Sequence, residues 1–108
     1  MSIEQTNVVD IVAVDKDTGE LVPTITDHLE WPADSSDHLF LLQEKINAYL
    51  RFIESGEVVQ SHPKADGRAM VILVALKYTP NDQAIRFLDK CREIIKNAGF
   101  RFRFRVHG

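Results

Sequence analysis

Ala69 to Tyr78, AMVILVALKY, is apolar at every position through Leu76 and turns polar first at Lys77. An extended chain sends alternate side chains to opposite faces, so a run that is apolar on both faces is the pattern of a central strand. Such a strand needs neighbours on its edges and a helix layer on at least one face. The larger set Met70, Ile72, Val74 and Leu76 is expected to meet that layer, leaving Val71, Leu73 and Ala75 on the other face.

The remaining elements follow from periodicity. Phe100 to His107, FRFRFRVH, alternates without a fault: Phe100, Phe102, Phe104 and Val106 are read as core-facing, Arg101, Arg103, Arg105 and His107 as outward. Val8 to Val14 and Leu21 to Trp31 read as the two strands of a hairpin around the loop DKDTGE, with Gly19 supplying a positive φ. Pro23 has no N–H for a ladder, which points to an edge strand or a strand start.

Between hairpin and central strand lies a strongly apolar helix. Leu39, Leu42, Ile46, Tyr49, Leu50 and Ile53 recur at i, i+3, i+4, i+7, while Gln43, Glu44, Lys45, Asn47, Arg51 and Glu54 occupy the opposite side. Ser35 or Ser36 is placed to cap it and Gly56 to close it. Glu57 to Arg68 reads as a long loop broken by Pro63 and Gly67. Thr79, Pro80 and Asp82 then open a second helix with Ala84, Leu88, Cys91, Ile95 and Ala98 as its stripe and Gly99 as its stop.

The order is ββαβαβ, which predicts an α+β fold: a four-stranded mixed sheet with two helices packed on one face. The last three strands should run one way and the first the other. Strand order 2-1-3-4 is preferred, with 1-2-3-4 as the alternative, because Pro23 and the arginine-bearing strand both suit edges. Residues 1–108 are expected to form a single domain, with 1–7 as a flexible tail.

No stretch approaches the roughly 20 apolar residues that span a bilayer, and the opening MSIEQTNVVD lacks the pattern of a signal peptide, so a cytoplasmic protein is expected. The single cysteine, Cys91, lies on an apolar stripe and reads as a small buried hydrophobe. Up to His62 the chain has 12 acidic and 3 basic residues; from Pro63 it has 4 and 10, so the halves carry −9 and +6. Either the halves complement each other in one fold, or a basic face is left for an acidic partner.

Candidate chemistry is sparse. Two Asp-His-Leu triplets, Asp27-His28-Leu29 and Asp37-His38-Leu39, flank the hairpin-to-helix loop. Two imidazoles and two carboxylates are ligand types for a transition metal and the start of acid–base chemistry. Asp27, His28, Asp37 and His38 are thus the candidate metal or acid–base residues, although Asp27 and His28 point to opposite sides of a strand. Trp31 reads as a lid on the core, its indole N–H bonded to a loop. DKDTGE lacks the pattern and terminal Glu of an EF-hand loop. The phenylalanines of FRFRFR cannot both fill the core and stack on bases, and the pI of about 5.7 opposes general phosphate binding, so nucleic acid is not the expected partner. No phosphate-cradling glycine loop, GxSxG, HExxH or CxxC is present, and no cofactor is expected.

The residues DHLEW at Asp27 to Trp31, HLFLLQEKINAYLRFIESGE at His38 to Glu57 and VVDIVAVDKDTGELV at Val8 to Val22 resemble the signature of a family of small bacterial proteins classed as a domain of unknown function. The resemblance implies a bacterial, single-domain, cytosolic protein and carries no activity with it. Residues and resemblance together favour a non-enzymatic protein-interaction module, self-associating as a homodimer or acting as an adaptor or immunity-like protein. It would use the sheet face opposite the helices, with Val71, Leu73 and Ala75 as apolar contacts and Arg101, Arg103 and Arg105 as cationic ones. The alternative is a small-ligand or metal-dependent enzyme with its site at the hairpin-to-helix junction.

Overall fold

A computed structural model describes residues 11–106. In chain order these form β1 (Ile11–Val14), β2 (Leu21–Asp27), α1 (Ser36–Glu54), α2 (Glu57–Ser61), a 3-10 turn (Pro63–Ala65), β3 (Val71–Leu76), α3 (Asp82–Asn97) and β4 (Arg101–Val106). The expected positions 1–10 and His107, the start of the first strand and the tail included, lie outside the described residues. β1 is antiparallel to β2, whereas β2, β3 and β4 are mutually parallel, so the sheet is mixed and the fold is α+β.

The strand order is β1-β2-β3-β4 rather than 2-1-3-4. Pro23 therefore sits inside an inner strand, and the hydrogen-bond pattern shows how. Leu21 N–H donates to the Ala69 carbonyl of the β3 approach at 2.9 Å. In a parallel ladder the next donor toward the same neighbour is two residues on, at position 23, which has none. Continuous β2–β3 register begins only at Thr24↔Leu73, after an isolated Leu21↔Met70 bridge. The proline is accommodated by a gap in the ladder, not by an edge.

β3 is central, between β2 and β4, and Ile72, Val74 and Leu76 are fully buried against residues of both long helices. α1 contributes Leu42, Ile46 and Tyr49 to this core and α3 contributes Leu88, Cys91 and Ile95. The Tyr49 hydroxyl donates to the Thr24 carbonyl at 2.8 Å, fixing α1 against β2. Lys45, expected on the polar side of α1, is fully buried, with its ammonium 5.7 Å from the centre of the Tyr49 ring. A lysine stem is apolar and a tyrosine face attracts its charge, so the apolar stripe of α1 is wider than hydropathy alone draws it.

Three local expectations are corrected. Glu57 to Arg68 is not a plain loop: Gly56, at φ 84°, turns the chain into α2, and Val58 and Ala65 bury completely beside Leu21 in a second small cluster. Two buried apolar side chains hold a segment that its breakers would leave irregular. At the start of α1, Ser35 makes no side-chain cap; Asp34 accepts the Ser36 N–H at 3.1 Å and its hydroxyl at 2.6 Å. Those two donors hold the Asp34 carboxyl below its ordinary value. α3 starts at Asp82, capped by Asn81, which accepts the Ala84 N–H at 2.9 Å, and not by Thr79.

Cys91 is buried as expected, and burial pushes its thiol up to about 11 from 9.0, because the thiolate loses hydration. At about pH 8, where an exposed thiol is already partly ionised, native Cys91 should therefore react with iodoacetamide far more slowly than the denatured chain. The rate should rise as pH approaches 11. Equal native and denatured rates, followed by mass spectrometry, would contradict this burial.

Candidate functional site

Two regions hold the residues singled out from sequence: the junction between β2 and α1, and the sheet face away from the helices.

At the junction, β2 ends on Asp27, which is buried together with His38 from the first turn of α1. Asp27 Oδ1 accepts the Leu29 N–H at 3.0 Å, which bends the chain out of the strand. Its Oδ2 lies 2.6 Å from His38 Nε2, and His38 Nδ1 lies 3.0 Å from the Glu30 carbonyl. A carbonyl only accepts, so Nδ1 is the donor to Glu30, and Nε2 is engaged by the Asp27 carboxyl. The Trp31 indole covers the imidazole, stacked at 3.7 Å between centroids and 13° between planes, and its Nε1–H donates to the Tyr78 carbonyl at 3.2 Å.

The neighbouring loops are sewn to this cluster. Asn81 Nδ2 donates to the Pro32 carbonyl at 3.2 Å and to Ser35 Oγ at 3.0 Å, while Gln83 Oε1 accepts the Ser35 N–H at 3.0 Å. The C-terminal ends of β2 and β3, where open parallel sheets commonly place ligands, are thus closed by side chains of the protein itself.

Of the four candidate metal or acid–base residues, the fold brings Asp27 and His38 together and leaves His28 and Asp37 exposed. The strand alternation that separates Asp27 from His28 explains half of this, and the helical turn that separates Asp37 from His38 the rest. Neither nitrogen of His38 keeps a lone pair facing solvent, as a general base requires. Among the described residues no three His, Cys, Asp or Glu side chains are grouped to hold a metal ion.

The other region is set by register. Val71 stands beside Arg101, Leu73 beside Arg103 and Ala75 beside Arg105, all on the face opposite the helices. Val71 and Ala75 are nevertheless buried, and Leu73 is half-buried. Part of the cover comes from Glu20, which precedes β2 and reaches Arg101 at 3.3 Å and Arg103 at 3.7 Å. Since β3 lies between β2 and β4, these ion pairs cross over β3 at the level of Val71. Glu20 ends the DKDTGE loop read from sequence, and its burial, 8% exposed, together with its ion pairs reveals the role. Beyond it, Val22, Leu73, Arg103 and Arg105 border a shallow depression of about 350 Å³. Arg105 has no ionic partner among the described residues. A separate groove of about 470 Å³ runs between α1 and α3, with Ile94 62% exposed on its rim.

The chain is therefore an α+β protein whose polar cluster at the β2–α1 junction is satisfied internally and whose cationic strand lies at a sheet edge. It belongs to the Family of unknown function (DUF6572), whose model matches residues 1–108. No curated protein and no solved structure matches it. No helix among the described residues is long and apolar enough to cross a membrane.

If the Asp27–His38 pair is a structural tie, His38→Ala should destabilise the fold by about 3 kcal/mol, the usual cost of stripping one partner from a buried charged pair. Urea unfolding followed by Trp31 fluorescence measures this directly. A variant as stable as the parent would show that the pair is held for something other than the fold.

Proposed function

We propose that this chain is a non-enzymatic protein-interaction module that binds a protein partner through the helix-free face of its sheet, in the cytoplasm of a bacterium as the family resemblance implies. The observation that carries the reading is the arginine row of β4 at an exposed sheet edge. Arg101 and Arg103 keep 76% and 54% of their side chains exposed even while sharing Glu20, and Arg105 has no ionic partner among the described residues. Cationic side chains held by a strand are presented in a fixed spacing at low further entropy cost, as an acidic partner would need. Leu73 and the arginines form the accessible part of the surface; Val71 and Ala75 lie beneath it as support. A self-associating or immunity-like role draws on the same face. The enzyme reading has less support, since the junction that would serve it is filled and its histidine is bonded at both nitrogens.

The test is site-specific photo-crosslinking in the producing cells. A photoreactive side chain at position 73 or 105 should yield discrete protein adducts, and one at the exposed α3 position 93 should not. Adducts of twice the chain mass would identify a second copy as the partner. No adduct from 73 and 105, or equal labelling from 93, would overturn the proposal.

A further inference from the structure

We infer that β4 is a docking edge for an extended segment of another protein in which glutamate or aspartate alternates with apolar residues, added to the sheet as a fifth strand. The inference rests on the reading of the sheet face as a partner surface and specifies what binds there and how.

The backbone geometry comes first. Arg101 N–H donates to the Met70 carbonyl at 3.1 Å, so the odd-numbered residues of β4 face β3. The N–H and carbonyl groups of Phe102, Phe104 and the N–H of Val106 therefore point away from the sheet, and among the described residues nothing pairs with them. Unpaired strand edges of this kind accept an added strand through main-chain hydrogen bonds, and the flanking side chains then select its sequence.

The flanks are of two kinds. On the helix-free face the added strand would run beside Arg101, Arg103 and Arg105, so its side chains on that face meet a cation at each alternate position. On the other face it would meet Phe104, half-buried, and Val106, 45% exposed, with the Arg92 guanidinium 5.8 Å from the Phe104 ring. Arg92 and Lys96 of α3 also line a shallow depression of about 290 Å³ beside Phe100 and Phe102. Among the described residues two carboxylates pair with these cations: Glu20, and Asp89, which lies 3.7 Å from Arg92. Lys96 and Arg105 have no ionic partner among the described residues. An acidic residue facing each arginine and an apolar residue over Phe104 and Val106 complete both rows.

The same side chains disfavour a second copy at this edge. Any β4–β4 pairing that keeps both helix layers on one side sets arginine against arginine, and like charges directly opposed destabilise a strand pair. The edge is closed to itself and open to its charge complement.

The probe is a peptide alternating glutamate and valine over the same six-residue length as β4, with a lysine–valine peptide as control. Added to the full chain, the acidic peptide should slow hydrogen exchange at the outward amides of Phe102, Phe104 and Val106. It should also lose on the order of tenfold in affinity for the Arg105→Glu variant. Arg105 makes no ion pair among the described residues, so this variant should melt with the parent, and a melting temperature within the usual range for a surface change confirms that binding and not folding was altered. Slowed exchange elsewhere than β4, equal binding of the lysine peptide, or no binding by the acidic one would overturn strand addition. Crosslinking from position 73 together with a silent peptide would overturn strand addition while keeping the partner surface; failure of both would overturn both.

Discussion

Everything in this fold answers to the need to bury β3 on both faces with only one layer of helices. On the helix side the solution is ordinary: α1 and α3 interlock over Ile72, Val74 and Leu76. On the other face the chain uses long charged side chains as cover. Glu20 reaches from one side of β3 to arginines on the other, so Val71 is removed from water beneath an ion-paired strap. The stems of arginine and glutamate shed water while their heads remain near solvent, which makes such a strap compatible with an exposed face. The acidic first half and basic second half of the chain meet here, and the excess of cations at β4 is what remains after that pairing.

The second organising device is polar. Asp27, His38 and Trp31 fasten the end of β2 to the first turn of α1, and Asn81 and Gln83 bring in the loop after β3. Buried polar groups are tolerated when each finds its partner, and a fully bonded set fixes one arrangement of loops over others. The place where parallel strands usually leave room for a ligand is in this protein a clasp. At the β4 edge, by contrast, outward backbone groups are without a partner among the described residues.

Much was legible in the sequence, and for identifiable reasons. The alternation of FRFRFRV and the double-sided apolarity of VILVAL are consequences of strand geometry alone, so β3, β4 and the faces they present followed from residue order, except that Val106, read as core-facing, is 45% exposed at the end of β4. The same holds for α1 and α3, whose stripes repeat at the helical period, and for Gly56 and Gly99, whose positive φ ends those helices. The short helix α2 was hidden because its signal is only Val58 and Ala65, too few for a period, and it is made worthwhile by Leu21 from a distant strand.

What tertiary structure alone decided concerns partners far apart in the chain. Pro23 spoke for an edge because a proline lacks a donor, but whether a missing donor matters depends on the neighbouring strand, and here the ladder has a gap at that place. The pairing of Asp27 with His38, rather than with either of the other triplet members, required the loop to fold back over 11 residues. The burial of Lys45 and the reach of Glu20 to β4 likewise depend on what packs beside them. Local geometry is written in the order of residues, whereas a side chain's surroundings are set by the whole packed chain, and charge is where the two diverge most.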